Sequence, residues 1–213
     1  MSMNDLFAND SGLEILGEGI TLWRSAIDVA RYVSDIEDLA RRAPFRNMQV
    51  PRGRTMSVAI TNCGKLGWIS DTRGYRYSAI DPTRSAPWPA MPEHWLRDAA
   101  QAAQRGGFAG FSPDACLVNC YEVGARMGAH QDRDELDFSQ PVVSISLGLS
   151  AAFAFHGETR SGTRRRIELH SGDVLIWGGP ARLHFHSVAP VKAGLHPLCG
   201  ARRFNLTFRR AGA

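Results

Sequence analysis

From Ala115 to the C-terminus the sequence breaks into short apolar or alternating runs separated by turn residues, with no helical period in that half. The candidate strands are Ala115 to Tyr121, Val142 to Leu149, Ala151 to His156, Arg165 to His170, Val174 to Trp177, Leu183 to Val188 and Phe204 to Arg209. So many short strands, with helices confined to the first half, predict a mainly β protein with flanking helices: a double-stranded β-helix, or jelly roll. One helix is predicted over Ser25 to Arg42, where Ile27, Ala30, Val33, Ile36, Leu39 and Ala40 fall at mixed three-and-four spacing behind a serine suited to cap the start. A second should begin near Pro92, run through Trp95, Leu96, Ala99, Ala100 and Ala103, and stop at Gly106-Gly107. Between them, residues 44 to 90 hold one clear alternating run, Thr55 to Ile60, followed by Gly, Pro, Tyr and Trp in irregular order. That stretch reads as a hairpin-and-loop elaboration outside the core.

At 213 residues the chain suits one compact domain, and 44% hydrophobic with 22% charged residues matches a globular protein. No apolar run approaches the roughly 20 residues of a spanning helix. The N-terminal Met-Ser-Met-Asn-Asp-Leu-Phe is acidic where a signal peptide is basic, so the cytoplasm is the expected location. Cys63, Cys116, Cys120 and Cys199 lack the spacing of a metal site or disulfide scaffold and read as buried thiols, with Cys116 and Cys120 facing one way on a strand. The net charge of +4 is mild, yet 23 of the 25 basic residues are arginine, beside only Lys65 and Lys192. Arginine suits bidentate phosphate contacts, as codon bias would also explain.

Two patterns carry chemistry. In His130-Gln131-Asp132 an imidazole and a carboxylate stand two residues apart and can share one side of an extended chain. A second histidine from a later strand would complete a two-His, one-carboxylate set with open metal positions, as non-haem iron oxygenases need. His186 is the candidate and His184 its rival on the same face; His94, His156, His170 and His196 read as surface or core residues. In Arg203-Phe204-Asn205-Leu206-Thr207-Phe208-Arg209, strict alternation puts Arg, Asn, Thr and Arg on one face. Alone that is a surface strand; beside the His-x-Asp and His set it offers two guanidiniums to a dicarboxylate.

Together with Thr55-Met56-Ser57-Val58, Thr61-Asn62-Cys63-Gly64, Gly67-Trp68, Pro87-Trp88-Pro89-Ala90-Met91-Pro92 and Trp177-Gly178-Gly179, these motifs resemble the AlkB family of 2-oxoglutarate-dependent dealkylases over nearly the whole chain. The resemblance implies iron(II) held by His130, Asp132 and His186, and 2-oxoglutarate held by Asn119, Tyr121, Arg203, Asn205 and Arg209. It implies that Trp68 and His130 sandwich a flipped base, that Tyr75, Met56 and Ser57 line its site, and that Asp134 reads the base edge. Arg160 and the run Arg164-Arg165-Arg166 are expected either to contact substrate phosphates or merely to solvate a turn.

The implied organisation is a single catalytic domain over 1–213, with an N-terminal extension and helix over 1–43, a nucleotide-recognition lid over 44–90, a buttressing helix over 91–110 and the jelly-roll core over 111–213. The implied activity is oxidative demethylation of 1-methyladenine and 3-methylcytosine in single- or double-stranded DNA, with RNA as a further candidate, by a monomer. Two positions depart from the family pattern: Arg54 stands where a tyrosine is usual, and Cys120 where an arginine is. A 2-oxoglutarate oxygenase of small molecules or protein side chains would keep the triad and arginines without needing the aromatic lid, and a non-catalytic jelly-roll module would not need the triad.

Overall fold

A computed structural model describes residues 12–51 and 53–212; the N-terminal segment weighed above for a leader lies outside the described residues. The first half of the chain comprises β1 (Leu13–Gly17), β2 (Ile20–Trp23), α1 (Val29–Arg42), β3 (Arg46–Gln49), β4 (Thr55–Gly64), β5 (Gly67–Asp71), β6 (Gly74–Ser78), β7 (Ile80–Asp81), β8 (Ala86–Pro87) and α2 (Glu93–Arg105). Then come β9 (Ala115–Glu122), β10 (Met127–His130), β11 (Val142–Gly148), β12 (Ala151–Gly157), β13 (Arg165–Leu169), β14 (Val174–Trp177), β15 (Phe185–Val188) and β16 (Arg202–Arg209). The larger sheet runs β1-β2-β14-β11-β16-β9-β4-β3, the smaller β10-β15-β12-β13, and β5-β6 and β7-β8 are separate hairpins. The neighbouring strands are antiparallel, as a jelly roll requires.

Alternation along β16 explains how the layers assemble. Phe204, Leu206 and Phe208 point to the helices, where they pack with Tyr32, Ile36, Leu39, Trp95 and Ala99. Residues 203, 205, 207 and 209 point the other way, into the space between the sheets. The same parity on β9 sends Cys116, Val118 and Cys120 to the helices and Leu117, Asn119 and Tyr121 inward. All four cysteines are buried and free. Each fully buried large side chain contributes about 1.5–3 kcal/mol, so the helix layer fastens the sheet whose other face carries polar groups.

Several sequence expectations change. Helix α1 begins later than Ser25: Asp28 is the cap, its carboxylate accepting from the Ala30 and Arg31 amides, while Ser25 occupies a turn at φ 49°. Its buried face is Tyr32, Val33, Ile36 and Leu39, with Ala30 exposed. The alternating run at Thr55 continues to Gly64 and pairs with β9 on one side and β3 on the other, so this part of residues 44 to 90 is core sheet. Strands β1, β2 and β10 carry no clear pattern in the sequence: β1 has no buried residue to set an alternation, and β2 and β10 are only four residues each, β10 with an irregular register. The strand expected from Leu183 starts at Phe185, since a 3₁₀ turn at Gly179–Ala181 leads into a further turn. Gly67 is required where the hairpin leaves the core, because a Cβ there would run into the indole of Trp88.

Candidate metal and cosubstrate site

His130 ends β10 and stands directly opposite His186 of β15 in the antiparallel register, and Asp132 follows two residues on. Ligand atoms of these three residues lie within 4.8 Å of one another. Each imidazole donates its Nδ1 hydrogen to a backbone carbonyl, His130 to Gly128 at 2.9 Å and His186 to His184 at 3.1 Å. That fixes the tautomer and turns both Nε2 atoms toward Asp132 Oδ1, each at 3.8 Å. The donor set of two imidazole nitrogens and one carboxylate suits iron(II) and leaves coordination positions open. Between the two rivals the structure selects His186: His184 precedes the strand, and it is the carbonyl of His184 that serves the site.

Burial among Phe153, Phe155 and Trp177 pushes the His186 imidazole down to about 3, with His130 adding to the effect, so it is a neutral ligand at physiological pH. Burial would raise the carboxyl of Asp132, but Arg209, with His186, His130 and Arg182, outweighs it and holds the group well below the usual carboxylate range. Arg209 does this directly, donating to Asp132 Oδ2 from Nε at 3.0 Å and from a terminal nitrogen at 2.7 Å.

Three residues around the triad were not singled out from the sequence. Glu135 is buried and takes Arg182 at 3.1 Å, Arg209 at 3.3 Å and the Tyr77 hydroxyl at 2.7 Å. Arg182 also donates to the Asp132 carbonyl at 2.8 Å. In the sequence Glu135 is one acid in a charged loop and Arg182 one arginine among 23, so nothing in spacing marks them.

At the other end of the cavity, Arg203 is opposite Tyr121 and Asn205 opposite Asn119 across the β16–β9 pair. Arg203 is 1% exposed and bonded only to neutral oxygens among the described residues, Ser146 Oγ at 2.9 Å and the Leu149 carbonyl at 3.4 Å, with Nε unpartnered. Burial lowers its pKa, outweighing the smaller raising influence of Tyr121, Asp173 and Glu168, none of which is in direct contact with it. The Tyr121 phenol, pushed up to about 12 by burial, reaches only the Met127 sulfur, at 4.0 Å, among the described residues. A buried cation with no carboxylate partner, beside a hydroxyl whose one contact is a long one to sulfur, is a receptor for a carboxylate, so 2-oxoglutarate fits these residues. Cys120, one residue away, faces the helices and leaves this end undisturbed.

Between the two ends lies a cavity of 470 Å³. Trp68 and Tyr75 stack at its mouth, ring centroids 5.5 Å apart at 13°, and the Trp68 indole donates to Asp134 at 2.8 Å. Met56, Arg54 and Arg160 also line it. Arg160 lies over Phe185 and bonds the Ala129 carbonyl. Ser57, expected at the substrate, is absent from the lining: its hydroxyl is engaged with the Arg126 backbone at 3.0 and 3.2 Å. Arg164, Arg165 and Arg166 are exposed on and beside β13, away from the cavity wall. His94 packs under α1 against Tyr32, His156 bonds Ser187 at 2.8 Å, His170 bonds Ser150 at 3.0 Å, and His196 accepts from the Leu198 and Cys199 amides.

A model of the 2OG-Fe(II) oxygenase superfamily matches residues 19–209. The chain is 49% identical to the alpha-ketoglutarate-dependent dioxygenase AlkB of Escherichia coli K12, over 99% of both chains. It is 35% identical to the nucleic acid dioxygenase ALKBH1 of Mus musculus over 69% of this chain and 36% of that one. The solved structure of OsALKBH1 superposes with a TM-score of 0.83 at 29% identity, covering 93% of this chain and 99% of that chain. With His130, Asp132 and His186 converging at one end of the cavity and Arg203 unpaired at the other, the chain belongs to the AlkB family within the 2OG-Fe(II) oxygenases and is an iron(II)- and 2-oxoglutarate-dependent dioxygenase.

Proposed function

We propose that the cavity receives an alkylated base turned out of a nucleic acid and removes the alkyl group oxidatively, with 1-methyladenine and 3-methylcytosine as substrates. What carries the reading is the shared cavity: the metal triad, the unpaired Arg203 and the Trp68–Tyr75 stack with Asp134 beside it all open onto the same space. A methyl on the pairing edge is accessible only outside the duplex, at a cost of a few kcal/mol that is smallest when methylation has already broken the pair. Trp68 offsets about 1–3 kcal/mol of that by stacking, with His130 on the base's other side.

Bound iron(II) with 2-oxoglutarate and dioxygen would supply the oxidant for hydroxylating the N-methyl carbon, with succinate and carbon dioxide as the other products. The hydroxymethyl base then expels formaldehyde and regains its normal form. The protein's own residues position the partners. His130, Asp132 and His186 would hold the metal, Arg203 and Tyr121 would bind a carboxylate of the cosubstrate with Asn119 and Asn205 beside them, and Asp134 would accept from the exocyclic amine of the cationic base. Arg54 and Arg160 at the rim pair with flanking phosphates. Arg209 lines the same cavity and is a further guanidinium for the cosubstrate, with its Nε and one terminal nitrogen already on Asp132 and Glu135.

A monomer acting in the cytoplasm on single- or double-stranded DNA, with RNA as a further candidate, completes the proposal; residues 44 to 90 act as the lid through β5 and β6. No helix among the described residues is long and apolar enough to cross a membrane. The test is mass-spectrometric turnover of matched single- and double-stranded methylated DNA and RNA oligonucleotides with iron(II) and 2-oxoglutarate. Succinate release without loss of the methyl mass from any oligonucleotide would assign the site to a different substrate class.

A further inference from the structure

The hairpin β5–β6 pairs into neither main sheet; besides resting on the larger sheet through Asn62 and Gln49, it touches the segment after the metal motif at two consecutive residues. Trp68 and Tyr77 are cross-strand partners in the hairpin. The indole of Trp68 donates to Asp134 at 2.8 Å, and the hydroxyl of Tyr77 donates to Glu135 Oε1 at 2.7 Å. The first bond ends at the cavity mouth. The second enters a buried cluster of two carboxylates and two guanidiniums, Asp132, Glu135, Arg182 and Arg209, whose side chains are 2–7% exposed.

The cluster controls both handles of the metal carboxylate. Asp132 Oδ1 faces the two histidines, while Oδ2 is fixed by Arg209. The Nε of Arg209 is shared between Asp132 Oδ2 at 3.0 Å and Glu135 Oε1 at 3.3 Å, so Glu135 sets the plane of that guanidinium. The backbone carbonyl of Asp132 is held by Arg182, whose other terminal nitrogen is on Glu135 Oε2. Every protein contact described for the side chain of Glu135 thus leads either to Asp132, through an arginine, or to the hairpin through Tyr77. Buried ions in such a set are tightly coupled, because moving one leaves another without its partner.

We propose that Glu135 and Tyr77 are positioning residues for the metal site: the docked β5–β6 hairpin, acting through Tyr77, Glu135 and Arg209, sets the orientation of the Asp132 carboxylate toward the metal. Closure of the hairpin over a base is thereby communicated to the metal end of the cavity. The inference rests on the metal-site reading above, and its test separates the two.

Cobalt(II) is titrated into the full-length, metal-free protein and followed by its visible d–d absorption, which reports ligand geometry without turnover. Tyr77→Phe changes no charge and removes one hydroxyl; it should weaken cobalt binding by about tenfold and shift the band, and Glu135→Gln by about a hundredfold, the range for outer partners of metal ligands. Arg76→Gln is the control, since it breaks the 2.7 Å pair with Asp71 inside the same hairpin without touching Glu135; it should bind cobalt like the wild type. If Glu135→Gln does not fold, Tyr77→Phe alone decides. Wild-type affinity and an unshifted band in Tyr77→Phe, or equal weakening in Arg76→Gln, overturn the coupling while leaving the metal site standing. Cobalt binding that survives His186→Ala unchanged overturns the metal site and the coupling together.

Discussion

The two ends of the cavity are built by one strand and the same residue type, and they behave oppositely. Arg203 and Arg209 share the inner face of β16, both buried. Arg203 has no carboxylate partner among the described residues, and burial lowers its pKa. Burial acts on Arg209 in the same sense, but Asp132, Tyr77 and Glu135 outweigh it and raise its pKa above the ordinary value. A buried cation left unpaired waits for an anion from solution, whereas a buried cation with two carboxylates is already part of the scaffold. Identical side chains in a repeating pattern thus differ in their pairing, one left without a carboxylate partner and the other tied to two.

The largest expected effect probes the metal end. His186→Ala should abolish iron-supported turnover and His184→Ala leave most of it, since only the backbone of His184 serves the site; equal losses in two folded variants would remove the distinction. At the cosubstrate end, Arg203→Ala should raise KM for 2-oxoglutarate by an amount corresponding to about 2–5 kcal/mol, the cost of losing one partner of a buried charge pair. Steady-state kinetics with saturating oligonucleotide would read this directly.

Arg209→Ala is the variant that most sharpens the contrast. It should weaken metal binding about 10–100-fold while changing the KM for 2-oxoglutarate less than Arg203→Ala does. If both variants raise the cosubstrate KM alike and metal affinity is untouched, the two ends are equivalent after all.

Two smaller effects concern the mouth between the ends. Trp68→Ala should lower kcat/KM by the equivalent of about 1–3 kcal/mol of lost stacking, measured at subsaturating oligonucleotide. Asp134→Ala should narrow the preference for 1-methyladenine and 3-methylcytosine over 3-methylthymine. The first two present an amine donor to its carboxylate, whereas the third presents a carbonyl oxygen, and sites built around one hydrogen bond discriminate through the unpaired group a mismatch leaves. An unchanged ratio in matched oligonucleotides would make Asp134 only the partner of Trp68.

By itself the sequence determined whatever follows from local periodicity. The strands from Ala115 onward apart from β10, the amphipathic α2 and the alternation of β16 were legible, because a period of two or near four reports which side of an element is buried. The His130-x-Asp132 pair and a histidine on the strand after Trp177-Gly178-Gly179 were legible for the same reason, with family resemblance deciding between His184 and His186. Periodicity could not say that the polar face of β16 is interior, since a buried polar face and a solvated one have the same alternation. Only the second sheet closing over Arg203, Asn205, Thr207 and Arg209 decided that. The Tyr77–Glu135–Arg182–Arg209 cluster also belongs to the tertiary structure: its members are brought together from β6, the loop after Asp132, the turn before β15 and the end of β16. Charged residues that far apart in sequence carry no mark of pairing until folding removes the water between them, and it is that loss of solvent which binds them to one another and to Asp132.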